Sequence, residues 1–383
     1  MELDFSEVKT WYLEACDFLK EAKIPDNLFE EFDEYVQKTT RKGGEICIVG
    51  SKRMEDVARI AAMFFRANKY RNAHCSSDAA YPIPYESNDL VIDLSASGET
   101  SYTVDRVKPA LDVGAPIITL TTNESSTLAE YTKNNGLIIR IKGKPKGTEG
   151  SVYKKQLRGE YSPLTIEGTK AELSALNFFL DYFGFKNNGK SPTRFHDHFM
   201  DSIKRYAPNP REFEEVHKVL SKPDEKNLRK DVIVGTGLSG EYGSMFATRY
   251  AHCVIPGWER HVFFYKDRGE TALEKGDGLI IFSVSGEGFP LDAAKIGKEQ
   301  GANVVSFTSK GSPLEEISDA VIHVPPREEK EKPNGAVCHI QPDPAKCMPE
   351  YVGLLYGECL VCTVAKIEGI TEREFNNTHS KIT

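Results

Sequence analysis

The stretch Leu279–Gly288, Leu-Ile-Ile-Phe-Ser-Val-Ser-Gly-Glu-Gly, constrains this chain more than any other. Four apolar residues without a polar interruption predict a strand covered on both faces, as in a parallel sheet. The run stops in Ser283, Ser285, Gly286 and Gly288, and helical spacing begins near Leu291. Such an ending gathers hydroxyls and backbone N–H groups at one point, because the first-turn N–H groups of a helix lack intrahelical partners. That arrangement suits an anion. The phrase has already occurred at Leu90–Thr100, Leu-Val-Ile-Asp-Leu-Ser-Ala-Ser-Gly-Glu-Thr. Ser95 and Ser283 stand 188 positions apart, Thr121 and Thr308 187, and Gly50 and Gly235 185. Landmarks that agree within three residues predict two copies of one fold.

Around these corners, strands alternate with helical patterns, which predicts α/β architecture with a doubly wound parallel sheet in each copy. Residues 1–42 read as an N-terminal helical arm, with Phe5, Val8, Trp11, Tyr12, Ala15 and Phe18 on one face and a break at Pro25. Residues 43–185 form the first domain, 186–230 a helical connection and 231–383 the second domain. Strands are expected at 45–49, 71–75, 89–94, 115–120 and 137–141, then at 231–234, 262–265, 279–282, 303–307 and 320–324. Lys142–Ser162 and the charged run Arg327–Pro333 read as loops, the latter solvated. A final helix is expected over Tyr351–Glu368.

With 383 residues the chain can bury two cores. A net charge of −8 and a pI near 5.7 argue against nucleic acid or an anionic membrane as partner. There is no apolar run of the ~20 residues a membrane span requires. The start Met-Glu-Leu-Asp-Phe lacks the order of a secretory signal, so a cytoplasmic location is expected. Eight scattered cysteines, among them the Cys359-x-x-Cys362 pair in an apolar helical pattern, read as buried thiols. His196 and His198 stand two apart, a spacing that diverges on a helix, and no third ligand is near in sequence, so no metal is expected. Gly235-Thr236-Gly237-Leu238-Ser239-Gly240 follows a strand but lacks the full G-x-G-x-x-G spacing, and no acidic residue ends the next strand, so no dinucleotide cofactor is expected.

Taken with Ser-Val-Ser-Gly-Glu, Ser306-Phe307-Thr308-Ser309 and the first copy's Ser-Ala-Ser-Gly-Glu-Thr, the pattern resembles the sugar isomerase (SIS) family of phosphosugar-binding domains. Residues Gly235–Pro325 are most similar to the 6-phospho-3-hexuloisomerases, through Arg249-Tyr250-Ala251-His252, Ala293-Ala294-Lys295-Ile296 and Ser312-Pro313-Leu314. The resemblance implies a sugar phosphate as substrate, its phosphate held at Ser95, Ser97 and Thr100 or at Ser239, Ser283, Ser285 and Thr308. It implies aldose–ketose isomerisation by proton transfer, in a homo-oligomer such as a dimer. The family's glutamate base maps to Glu172 or Glu358, 186 positions apart, with Glu350 and Glu167 as rivals because the local wording departs from the family's. His252, and His379 with Lys381 in the tail, are candidate helpers. Two other outcomes fit the same scaffold: an amino-sugar phosphate deaminase or lyase, and a non-catalytic sugar-phosphate-binding regulator.

Overall fold

In the computed structural model the described residues are 5–78, 84–143, 169–189, 191–221, 228–251, 253, 259–266, 272–327, 341–371 and 374. Helices α1 (Glu7–Glu21) and α2 (Asp26–Arg41) open the chain, separated at Pro25 as expected. They bury Val8, Tyr12, Ala15 and Leu19, then Phe29, Phe32 and Val36, each set on one stripe.

The first sheet holds β1 (Ile46–Val49), β2 (Ala73–Cys75), β3 (Leu90–Leu94), β4 (Ile117–Thr121) and β5 (Gly136–Arg140). All neighbours pair in parallel, in the order β2-β1-β3-β4-β5. Helices α3 (Arg53–Ala67), α4 (Ser101–Asp112) and α5 (Thr127–Thr132) lie between them in sequence. Then come α6 (Lys170–Asn188), α7 (Pro192–Lys204) and α8 (Pro210–Leu220). The second sheet holds β6 (Leu228–Gly235), β7 (Glu259–Phe264), β8 (Gly278–Phe282), β9 (Asn303–Ser309) and β10 (Ala320–Val324). Its order, β7-β6-β8-β9-β10, is the same arrangement as in the first sheet, again all parallel. Its helices are α9 (Gly237–Tyr250), α10 (Phe289–Gln300), α11 (Pro313–Ile317) and, after a short 3-10 turn, α12 (Met348–Ile367).

Alternate residues along the strands serve opposite cores. Ile46 and Ile48 join the large central cluster while Cys47 and Val49 join a smaller one on the outer face. In the second sheet Ile280 and Phe282 face the centre, and Leu279 and Ile281 face α10 and α11 through Ala294 and Leu314. Burial on both faces is why these strands read as unbroken apolar runs. The short helices α5 and α11 escape a periodicity reading, but each has a serine cap: Ser126 Oγ accepts from the Ala129 amide and Ser312 Oγ from the Glu315 amide. Most of the loop expected at Lys142–Ser162 lies outside the described residues.

A layer of helices separates the two sheets. Helix α9 packs against α3 and α12, α3 also packs against α6, and α12 also touches α1 and β10. Polar ties fasten this layer. Tyr12 Oη donates to the Ile203 carbonyl at 2.7 Å and Tyr351 Oη donates to Asn177 Oδ1 at 2.6 Å. His196 lies between Asp181 Oδ2 at 2.8 Å and the Leu19 carbonyl at 3.0 Å, so it anchors α7 to α6 and α1. The described cysteines are buried free thiols. Among the described residues there is no cluster of three or more His, Cys, Asp or Glu suited to a metal, and no helix long and apolar enough to cross a membrane.

Asp93, in the middle of β3, is fully buried. Its Oδ2 accepts from Thr119 Oγ1 at 2.6 Å, while Oδ1 has no partner. Burial pushes its carboxyl up to about 7. An acid whose folded-state pKa is raised favours the fold below its unfolded pKa, and that advantage is lost as pH rises through the folded value. Asp93→Asn, which keeps the acceptor oxygen, should therefore match wild type near pH 4. By pH 8 it should exceed wild type by roughly 2–4 kcal/mol, as measured by urea denaturation at both pH values. A gap that does not widen with pH contradicts this account.

Candidate functional site

The C-terminal ends of the strands in the second sheet border the candidate site. The order β7-β6-β8 places a topological switch between β6 and β8, where parallel sheets leave a crevice for ligands. A small crevice lies there, partly open to solvent. Its polar walls are Ser239 and Tyr242 on α9, Ser283 after β8 and Glu350 on α12. Phe282 and Phe307, stacked with ring centroids 4.3 Å apart, supply apolar wall. Gly353, one turn after Glu350, presents no side chain and so keeps space open.

The corner next to the cavity is built by Ser283 and Gly286. The Gly286 amide donates to Ser283 Oγ at 3.2 Å, and Gly286 has φ +66°. The first copy repeats this: the Gly98 amide donates to Ser95 Oγ at 3.1 Å with φ +66° at Gly98. A Cβ at either glycine would lie within 3 Å of a serine on the next loop, Ser312 or Ser126, so both corners require glycine twice over.

The corners differ beyond that point. In the first, Ser95 Oγ also contacts Thr100 Oγ1 at 3.0 Å. Ser97 Oγ accepts from the Glu99 amide, and the Glu99 carboxylate accepts from Thr127 N and Oγ1, both at 2.8 Å. That corner is tied to α5. In the second, Ser285 is exposed at the rim, and Gly288 stands where the first copy has Thr100. Thr308 is brought close to the corner but is fully buried; its hydroxyl shares a 2.8 Å hydrogen bond with Ser312 Oγ. Thr308 therefore braces the corner from beneath and does not face the cavity. At the head of α9, Gly237 takes φ +56°, whereas its first-copy counterpart Lys52 takes nearly the same value, +57°, despite its side chain.

The glutamates are separated sharply by their surroundings. Glu350 sits in the first turn of α12, in the cavity wall, buried, with Arg327 bonded to its Oε1. Its Oε2 has no partner. Burial pushes the Glu350 carboxyl above the usual carboxylate range, and Arg327 draws it only part of the way back. The loop residue Arg327 is exposed, as expected, and also bonds a buried acid. Glu358, about two turns further along α12, is not in the cavity wall. One of its oxygens is bonded by Arg53 of α3, and Arg249 Nε of α9 lies 3.1 Å from the other. All three side chains are buried, so Glu358 joins the two halves through an ion triad and has no oxygen facing the corner. Glu172, at the equivalent place on α6, is half-buried with one oxygen, Oε2, unpartnered. His252, His379, Lys381 and Glu167 lie outside the described residues. Sequence reasoning passed over Tyr242, Arg327 and Arg53; Tyr242 alone left a signal, standing three residues after Ser239 on the same helical face.

No family model matches the chain. Over 169 residues, 44% of its length, it is 29% identical to an uncharacterized protein from Methanothermobacter thermautotrophicus, covering 78% of that protein. Over 168 residues, 41% of its length, it is 27% identical to one from Aeropyrum pernix, covering 76% of that protein. Its fold is similar to that of tagatose-6-phosphate ketose/aldose isomerase from Escherichia coli, with TM-score 0.63, 14% identity and coverage of 96% and 94% of the two chains. It is also similar to glucosamine-6-phosphate deaminase from Thermotoga maritima, with TM-score 0.54, 17% identity and 96% of each chain covered. A third likeness is the C-terminal domain of glucosamine-fructose-6-phosphate aminotransferase from Francisella tularensis, with TM-score 0.55, 14% identity and coverage of 96% and 97%. These solved structures share the fold of two parallel five-stranded sheets flanked by helices.

Removing one member of a buried ion group leaves an uncompensated charge, at a cost of about 3–5 kcal/mol. Glu358→Gln and Arg53→Met should each lower unfolding stability by that amount in urea titrations, with Arg249→Met similar. Glu350→Gln, with one exposed-side partner in Arg327 and one free oxygen, should lose far less. Equal losses at 350 and 358 would contradict the contrast drawn between them.

Proposed function

We propose that this protein is a phosphosugar isomerase of the SIS type, working at the second-sheet cavity with Glu350 as its base. The observation that carries this reading is a buried carboxylate whose second oxygen is unpartnered, in the same wall as Ser239 and Ser283. The phosphate would be held by Ser239, Ser283 and Ser285 with the first-turn amides of α9, whose dipole favours an anion. Held there, the sugar presents the carbon beside its carbonyl to Glu350 Oε2. Aldose–ketose exchange needs that one proton to move between neighbouring carbons, and a carboxyl raised toward neutrality suits the transfer. Phosphate binding supplies orientation, which makes a modest base effective. Ser95 and Thr100, bonded to each other, and Ser97, bonded to the Glu99 amide, have a lesser part in this reading, and Glu172 and Glu358 have none in the proton transfer.

Thermal-shift screening against pentose and hexose phosphates should find a ligand that raises the melting temperature, since binding to the native state alone stabilises it. Ser239→Ala with Ser283→Ala should abolish that shift, and Ser95→Ala with Ser97→Ala should leave it. Glu350→Gln should keep the shift while isomerisation falls roughly 10²–10⁴-fold, read by coupled detection of the ketose. A shift lost only with the first-copy pair would move the site to the other sheet. Ammonia released from an amino-sugar phosphate would instead favour the deaminase outcome.

A further inference from the structure

A second polar group in the cavity wall is left without a partner. Tyr242 is buried and lines the cavity with Glu350, and its hydroxyl makes no hydrogen bond to any residue. A buried hydroxyl without a partner is destabilising, and native structures seldom keep one unless it serves another purpose. The ring is fixed. It lies one turn into α9, its centroid 6.3 Å from that of Tyr351, with the rings nearly perpendicular. Burial raises the hydroxyl well above its ordinary range and keeps it protonated, a donor and not a phenolate. Two residues in the wall of one crevice therefore carry orphaned groups: an acceptor, Glu350 Oε2, and a donor, Tyr242 Oη.

We infer that Tyr242 is the electrophilic partner of Glu350, its O–H hydrogen-bonding the substrate oxygen on which negative charge develops. This rests on the isomerase reading of the cavity. In the step it assigns, Glu350 Oε2 accepts the proton of the carbon beside the carbonyl. The freed pair forms a carbon–carbon double bond, and the carbonyl pair moves onto its oxygen, which Tyr242 hydrogen-bonds. The neighbouring hydroxyl proton passes to that oxygen, Glu350 returns its proton to the former carbonyl carbon, and the neighbouring oxygen becomes the new carbonyl. Tyr242 keeps its proton throughout. A donor placed in advance where charge appears is worth more beside an apolar wall than in water.

Tyr242→Phe is the direct test, because it removes no hydrogen bond from the fold. Its melting temperature should equal or exceed that of the wild type. With the sugar phosphate that the wild type converts, kcat should fall about 10²–10³-fold while KM stays within about threefold. Binding supplies a readout independent of turnover. A phosphorylated aldonate, whose carboxylate sits where the enediolate charge would form, should bind the variant at least tenfold more weakly, and inorganic phosphate should bind both proteins alike. A lowered melting temperature would reveal a structural partner for the hydroxyl and overturn the inference. Unchanged kcat and unchanged aldonate affinity would also overturn it while leaving the isomerase reading intact. A wild type that binds neither aldonate phosphate nor inorganic phosphate would instead remove the isomerase reading, and this inference with it.

Discussion

Burying acids inside an apolar helix is the constraint on which this molecule turns. Helix α12 is enclosed along nearly its whole length by α1, α9 and β10, yet it carries Glu350 and Glu358. A carboxylate taken out of water must find a cation, be protonated or make hydrogen bonds. At Glu358 two arginines from different helices converge, and the acid becomes a fastening between the halves. At Glu350 a single arginine arrives from one side, and the other oxygen is left without a partner in the wall of the crevice. The same side chain on the same helix is thus paired through both oxygens in one place and through one in another. The number of guanidinium groups within reach sets the difference.

That helix also explains why the site lies where it does. The connections that leave the C-terminal ends of β6 and β8 part to opposite faces of the sheet, and the first turn of α12 borders the resulting crevice from the side. The sheet supplies the small residues, and the helix layer supplies the titratable group. Neither alone makes a site. The aromatic pair Phe282 and Phe307 keeps the wall apolar, which strengthens any electrostatic contact made inside it.

Most of the fold was legible in the sequence because parallel strands buried on both faces leave unbroken apolar runs, and all ten expected strands are present. The short helices α5 and α11 were missed because they are too brief to show a period, although their serine caps are plain once seen. The corner hydroxyls were readable as a motif; which of them face a cavity was not. Thr308 looked equivalent to its neighbours and is buried beneath them. The glutamate proposed as base was harder still to read. A helix buried on every side has no amphipathic stripe, so its pattern does not say which way residue 350 or 358 points. Arg327 lay in a run of charges that suggested only solvent, and its pairing with Glu350 depends on contacts distant in sequence from both.

Because both sheets belong to one polypeptide, a substitution in one half need not appear in the other. A symmetric pair of identical subunits has no such freedom, since each change there is made twice. The contrast between Lys52 and Gly237, which share a left-handed backbone while only one is suited to it, is the kind of divergence that a continuous chain permits. Each corner can therefore change by itself while the strand order of both sheets stays the same.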